Sequence, residues 1–186
     1  MIQDNAGGPV VLVLASGQGE RFRASGGQVH KLQALLEGRT VLERTLDAVR
    51  ASGLPWHLED RGHPGMGDSI AAAVRAAPNA AGWLVLPGDL PLVRPETLRA
   101  VAEALRHCTV AVPVYQGQRG HPVGFGAVCG EELKALTGER GAASIVQGQA
   151  RAGGLQLVAV EDEGTVADID TVEALERAAA LWRGRR

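Results

Sequence analysis

The sequence predicts a three-layer α/β fold with a mostly parallel central sheet. Three observations carry that expectation. Val10–Ala15 is an unbroken apolar run of β-branched and leucine residues with glycines directly behind it, the pattern of a buried parallel strand feeding a loop. Further short apolar runs alternate with segments of helical period, which requires crossover connections and helices on both sheet faces. The turn residues concentrate where the apolar runs end, and ligands in such folds sit beyond the carboxyl ends of the strands.

The elements follow in order. Thr40–Ser52 reads as a helix, with Thr40 and Glu43 at capping-box spacing, Leu42, Leu46 and Val49 on one stripe, and Gly53 and Pro55 as stops. Trp56–Glu59 is a short strand. Asp68 is placed to cap a second helix whose inner face holds Ile70, Val74 and Ala77 and which ends at Pro78. Trp83–Leu86 is a buried strand ended by Pro87-Gly88-Asp89. Pro95 suits the first turn of a third helix with Leu98, Val101, Ala102 and Leu105 on one face. Thr109–Tyr115 and Val123–Val128 are strands, Glu131–Leu136 and Ala142–Gln147 short helices, and Leu155–Glu161 a strand. Val172–Trp182 closes the series as a helix with Val172, Leu175, Ala179 and Trp182 inward.

Composition narrows the function. The 186 residues fit one domain, 1–186, with no linker or internal repeat. Hydrophobic residues make up 45% and charged residues 22%, the balance of a globular protein. Nineteen basic against 21 acidic residues give a net charge of −2, and aromatics are 3%, so a nucleic-acid polymer is not an expected partner. Val10–Ala15 is too short for a membrane span or a signal-peptide core, so no membrane partner is expected and the cytoplasm is the expected location. Cys108 and Cys129 form no C-x-x-C pair and read as free thiols.

Chemistry gathers in four places. After the first strand comes Leu14-Ala15-Ser16-Gly17-Gln18-Gly19-Glu20-Arg21-Phe22, with Lys31 beyond it. Glycine amides can wrap an anion, and Arg21 and Lys31 can add charge toward a polyphosphate; the alternative is a tight turn with solvated charges. The loop lacks G-x-x-x-x-G-K-[ST], and Phe22 stands where G-x-G-x-x-G needs its third glycine, which weakens a dinucleotide oxidoreductase. Second, Asp89 ends a strand and Asp170 lies in Asp168-Ile169-Asp170-Thr171. Two such carboxylates suit Mg²⁺, although Asp89 also fits a turn, and Asp170 and Glu173 have N-cap and N3 spacing. Third, Gly65-Met66-Gly67-Asp68-Ser69 opens a helix and suits a ribose or base edge, or simply starts that helix. Fourth, Arg119-Gly120-His121-Pro122 lies between two strands, where His121 either meets a substrate or packs in a turn. None of the five histidines has zinc-site spacing.

Taken together these segments resemble the MobA-like nucleotidyltransferases, most of all the molybdenum cofactor cytidylyltransferases. The matching runs are Leu14 to Phe22 with Lys31, Gly65 to Ser69, Gly88-Asp89-Leu90-Pro91, Arg119 to Pro122, Glu132 to Leu136 with Gly138 to Ala142, and Asp168 to Thr171. The resemblance implies a Rossmann-like, GT-A-like nucleotidyltransferase fold. It implies Mg²⁺-dependent transfer of CMP from CTP to the terminal phosphate of molybdopterin cofactor, or of GMP from GTP in the guanylyltransferase branch. It also implies a molybdoenzyme or cofactor-delivery partner. Carried over residue by residue, Arg21, Lys31 and Asp89 are catalytic. Ala15, Ser16, Gly17, Gly19, Arg21, Lys31, Gly67 and Ser69 hold the nucleotide, Arg119 and His121 the acceptor, and Asp89 and Asp170 the metal. A non-catalytic nucleotide- or cofactor-binding protein is the alternative from another class. Three departures stand out: nine residues separate Arg21 from Lys31, Ser16 replaces a small apolar residue or glycine, and residues 54–65 leave room for one short strand where relatives place strand, helix and strand.

Overall fold

The computed structural model describes residues 7–185. In chain order the elements are β1 (Val10–Leu14), α1 (Glu20–Ala24), a 3-10 turn at Lys31–Gln33, the small hairpin β2 (Leu35–Leu36) and β3 (Arg39–Thr40), α2 (Val41–Ser52), β4 (Trp56–Glu59), α3 (Met66–Ala76), β5 (Gly82–Pro87) and α4 (Pro95–Ala104). They continue with β6 (Val110–Tyr115), β7 (Gln118–Arg119), β8 (Val123–Gly126), a 3-10 turn at Ala127–Cys129, α5 (Gly130–Lys134), α6 (Ala143–Ala152), β9 (Leu155–Ala159), a 3-10 turn at Glu163–Thr165 and α7 (Val172–Gly184).

β1 lies between β4 and β5 in the sheet, and every residue in it is buried. Its period of two divides the core. Val10, Leu12 and Leu14 face a cluster with Ile70, Val74, Phe125, Leu133 and Ile145, while Val11 and Val13 face Leu46, Val49, Leu98 and Val101. One strand therefore ties both helical layers together, and truncating fully buried Leu12 to alanine would cost about 2–5 kcal/mol.

The sheet runs β4-β1-β5-β8-β6, with β9 beside β6. β4, β1 and β5 are mutually parallel, as are β6 and β9. β8 is antiparallel to both β5 and β6, so its first residues lie at the end where the parallel strands finish. That geometry delivers Arg119 to Pro122, the segment before β8, to the ligand-binding end of the sheet.

Several boundaries differ from the sequence reading. The strand expected over 123–128 stops at Gly126, because the chain turns into the 3-10 segment. α3 starts at Met66 with Gly65 as its N-cap, so Asp68 lies inside the first turn and does not cap it. Its carboxylate instead accepts the Gly138 backbone N–H at 2.8 Å. The N-cap of α7 is Thr171, whose hydroxyl accepts from the Ala174 N–H; Asp170 does not take that position. The capping box of α2 forms as expected, with Thr40 and Glu43 satisfying each other's backbone N–H groups.

Candidate nucleotide and metal site

A cavity of about 420 Å³ opens beyond the carboxyl ends of β1 and β5. Ser16, Gly17, Gly19, Arg21, Lys31, Ser69, Asp89 and Asp170 line it. Four other residues named from the sequence do not. Ala15 donates its N–H to the Glu59 carbonyl at 2.8 Å, and the Gly67 N–H is spent on the Gly138 carbonyl at 2.8 Å. Gly67 is close-packed: an added Cβ would lie 2.8 Å from the carbonyl oxygens of Thr137 and Arg140. Arg119 is exposed on β7. His121 lies off the cavity lining, where burial pushes its pKa down and the nearby Asp89 carboxylate opposes the shift.

Local structure explains how the lining is assembled. Gly19 has φ of +67°, a left-handed conformation that disfavours any side chain, and it turns the chain from the loop into α1. The His30 ring then folds the long segment after α1 back onto this loop. Its Nδ1 accepts the Leu32 N–H at 3.3 Å, which leaves Nε2–H to donate to the Gly17 carbonyl at 2.7 Å. Lys31 follows His30 directly and so points into the cavity, despite the nine intervening residues after Arg21.

On the opposite wall, the Gly88 N–H donates to the Leu14 carbonyl at 2.8 Å, and the Thr45 hydroxyl donates to the Gly88 carbonyl at 2.9 Å. This turn buries Asp89 to 8% exposure. The Ile169 N–H donates to the Asp89 carbonyl at 3.0 Å, which brings Asp170 alongside. Lys31 Nζ donates to Asp89 Oδ2 at 2.5 Å and to Asp170 Oδ1 at 2.7 Å. Arg21 Nη2 reaches Asp170 Oδ2 at 2.7 Å.

The electrostatics follow from this packing. Burial, the largest effect on Lys31, pulls its pKa down, but Asp89 and Asp170 outweigh it and hold the ammonium above its ordinary value. Burial raises Asp170, yet Lys31 and then Arg21 prevail and its pKa lies below normal. Asp168 is raised, first by burial and then by the charge of Asp170.

The residues fit a hard divalent cation. Asp89 Oδ1 is buried without a hydrogen-bond partner among the described residues. No group of three or more His, Cys, Asp or Glu side chains there could hold a metal ion. The chain thus offers two carboxylates, the donor set of a Mg²⁺ or Mn²⁺ that takes its other ligands from substrate phosphates and water.

The sequence reading missed three residues. His30, which has no zinc-site spacing, positions the loop. His63 and Glu139 line the cavity. His63 Nε2 lies 3.1 Å from Glu59 Oε1, and Glu59 is 1% exposed with Arg61 donating from Nε and Nη2 at 3.0 Å each. Arg61, then His63 and His57, overcome burial and hold the Glu59 carboxyl at about 2. His-x-Glu-x-Arg-x-His over residues 57–63 was a usable signal, since alternate residues of an extended chain share a side.

Known proteins share this sequence and fold in part. The bifunctional protein GlmU of Xanthomonas campestris is 29% identical over 139 residues, covering 63% of this chain and 30% of that protein. The chain thus spans about a third of the length of the curated relatives it matches. A nucleotidyl transferase from Methanothermobacter, Mth528, superposes with a TM-score of 0.80 at 22% identity, over 96% of this chain and 99% of its own. Rv0371c of Mycobacterium tuberculosis, crystallised as a complex with manganese, gives a TM-score of 0.72 at 22% identity over 93% and 98%. Residues 48–153 match the MobA-like NTP transferase domain, more than half of the sequence, and the chain belongs to that family.

Proposed function

We propose that the protein transfers a nucleoside monophosphate from an NTP to a phosphorylated acceptor, with CTP the donor and molybdopterin cofactor the acceptor. The observation that carries this reading is Lys31, held between Asp89 and Asp170 at the mouth of the glycine loop. In the reaction an acceptor phosphate oxygen forms a bond to the α-phosphorus, the α–β bridging bond breaks, and pyrophosphate leaves. A phosphate monoester is mostly dianionic near neutral pH, its second pKa being about 6, so no general base is required. What the chain must supply is charge neutralisation and in-line positioning.

The loop at Gly17 and Gly19 would receive the β and γ phosphates, with Arg21 and Lys31 neutralising them. Asp89 and Asp170 would hold a divalent cation at the α phosphate, where it would offset the charge that builds on the phosphoryl oxygens. Ser69, whose Oγ lies 2.5 Å from Ser16 Oγ, would face the ribose or base. His121, close to Asp89, would orient the acceptor, with Arg119 at its outer edge. The guanylyltransferase reading is weaker, because that branch has two adjacent glycines where Ala15-Ser16-Gly17 has one. A cytoplasmic location and a molybdoenzyme or cofactor-delivery partner belong to this reading. Among the described residues, no helix is long and apolar enough to cross a membrane.

The test is pyrophosphate release with each NTP, Mg²⁺ and molybdopterin cofactor. Turnover with CTP is expected. NTP binding without pyrophosphate release would favour a non-catalytic binding protein. A thermal-shift panel would rank the nucleotides, since a ligand at 100 times its Kd stabilises by about 2.7 kcal/mol.

A further inference from the structure

The Lys31 ammonium sits where the proposed reaction needs a cation. It lies 2.5 Å from one carboxylate and 2.7 Å from the other, and these side chains come from three separate segments. The Lys31 side chain is 15% exposed, and those of Asp89 and Asp170 are 12% and 19%. An ammonium so placed is shared by both carboxylates and occupies the space between them. Asp89 Oδ1 is buried and has no hydrogen-bond partner among the described residues.

We infer that Lys31 is a built-in stand-in for the divalent cation: it closes the two-carboxylate site in the free protein and releases it only when a triphosphate draws the ammonium away. The inference rests on the nucleotidyltransferase reading and adds an order of events to it. A cation approaching the free protein must displace a charge-assisted pair held by two acceptors. A triphosphate entering along the glycine loop presents a denser anion to the same ammonium. Once Lys31 turns to it, and with it Arg21, which pairs with Asp170 Oδ2 at 2.7 Å, Asp89 and Asp170 are left as adjacent anions that attract a divalent cation. Nucleotide and cation are therefore coupled, each binding more tightly in the presence of the other. His30 makes the exchange local, because its ring ties the chain beside Lys31 to Gly17, while the ammonium itself is held by the two carboxylates.

The experiment measures Mn²⁺ binding by electron paramagnetic resonance on the full chain without nucleotide. The wild type, Lys31→Ala, and Lys31→Ala combined with Asp89→Asn are compared. Lys31→Ala should bind Mn²⁺ about tenfold more tightly than the wild type or better, within the usual span of coupling between sites. The double variant should lose that gain. Lys31→Gln, which keeps a hydrogen-bonding head without the charge, is measured in parallel against the same threshold, and melting curves establish that each variant is folded. A gain below tenfold in the folded charge-removed variants, or one that survives in the double variant, overturns the inference. The measurement contains no nucleotide, so its outcome is independent of whether pyrophosphate is released in the turnover assay.

Discussion

Two acidic side chains flank β1 at the same end of the sheet, and their surroundings are opposite. Glu59 ends β4 on one side and has both oxygens occupied, Oε1 by Arg61 and His63 and Oε2 by Arg61 and His57. Asp89 follows β5 on the other side, with Oδ2 on Lys31 and Oδ1 on nothing among the described residues. A saturated carboxylate is a fastener: every bond it can make is already in the fold. A half-satisfied one carries a desolvation cost that only a further partner can offset. The same residue class on the two strands beside β1 is thus saturated in one place and open to a further partner in the other.

The largest effect expected from breaking this contrast is on the Asp89 side. Asp89→Asn should lower turnover by about a thousandfold, several kcal/mol of transition-state stabilisation, without a lower melting temperature. Steady-state pyrophosphate release and a melting curve on one preparation check it; near-normal turnover at saturating Mg²⁺ would remove Asp89 from the proposed metal site.

Glu59→Gln should do the reverse. Its carboxyl falls from an ordinary 4.5 to about 2. After discounting for the solvent around Arg61, the loss is about 2 kcal/mol, or about 4–8 °C in melting temperature. A group with a depressed folded-state pKa contributes stability above its unfolded pKa and loses it as pH falls through the folded value. The difference between wild type and variant should therefore be constant from about pH 5 to 8 and shrink between about 4.5 and 2. A flat difference down to pH 2 would place the effect elsewhere.

The third expectation concerns what stands beside Glu59. Residues 54–65 contain β4 alone, so the cavity wall there is the loop that presents His63. With few polar groups to reject a wrong base, CTP should be preferred over GTP by about tenfold or less in kcat/KM, about 1.4 kcal/mol. Turnover with equimolar CTP and GTP measures the ratio, and a thousandfold preference either way would mean a fully walled base pocket. The smallest effect separates capping from chemistry at the start of α7. Thr171→Ala should cost about 1 kcal/mol, or about 2–4 °C, as a lost N-cap. Asp170→Asn should shift the melting temperature less than that, yet remove most turnover.

These contrasts show which parts of the molecule were legible in sequence. β1, the capping box at Thr40 and Glu43, and the alternation of strands and helices depend on neighbours within a few positions, and a local pattern exposes them. Asp89 and Asp170 were visible as carboxylates at element ends. Their convergence was not, because it depends on the Ile169 N–H meeting the Asp89 carbonyl across the fold. Asp170 and Thr171 are both good N-caps one residue apart, and local preference cannot choose between them. That same tertiary bond fixes the register. The partners of His30, Asp68 and Glu59 likewise lie in other segments or depend on the exact course of a loop.

The order of the chain also gives the site a birth date. Lys31 and Asp89 are synthesised before Asp170, which is about 80 residues behind Asp89. At about 5–20 residues per second, the first two wait about 4–16 s for the third. During that interval the nascent polypeptide holds its lysine and one acid but cannot form the bridged trio. Ribosomal timing thus postpones the chemistry until the later segment arrives.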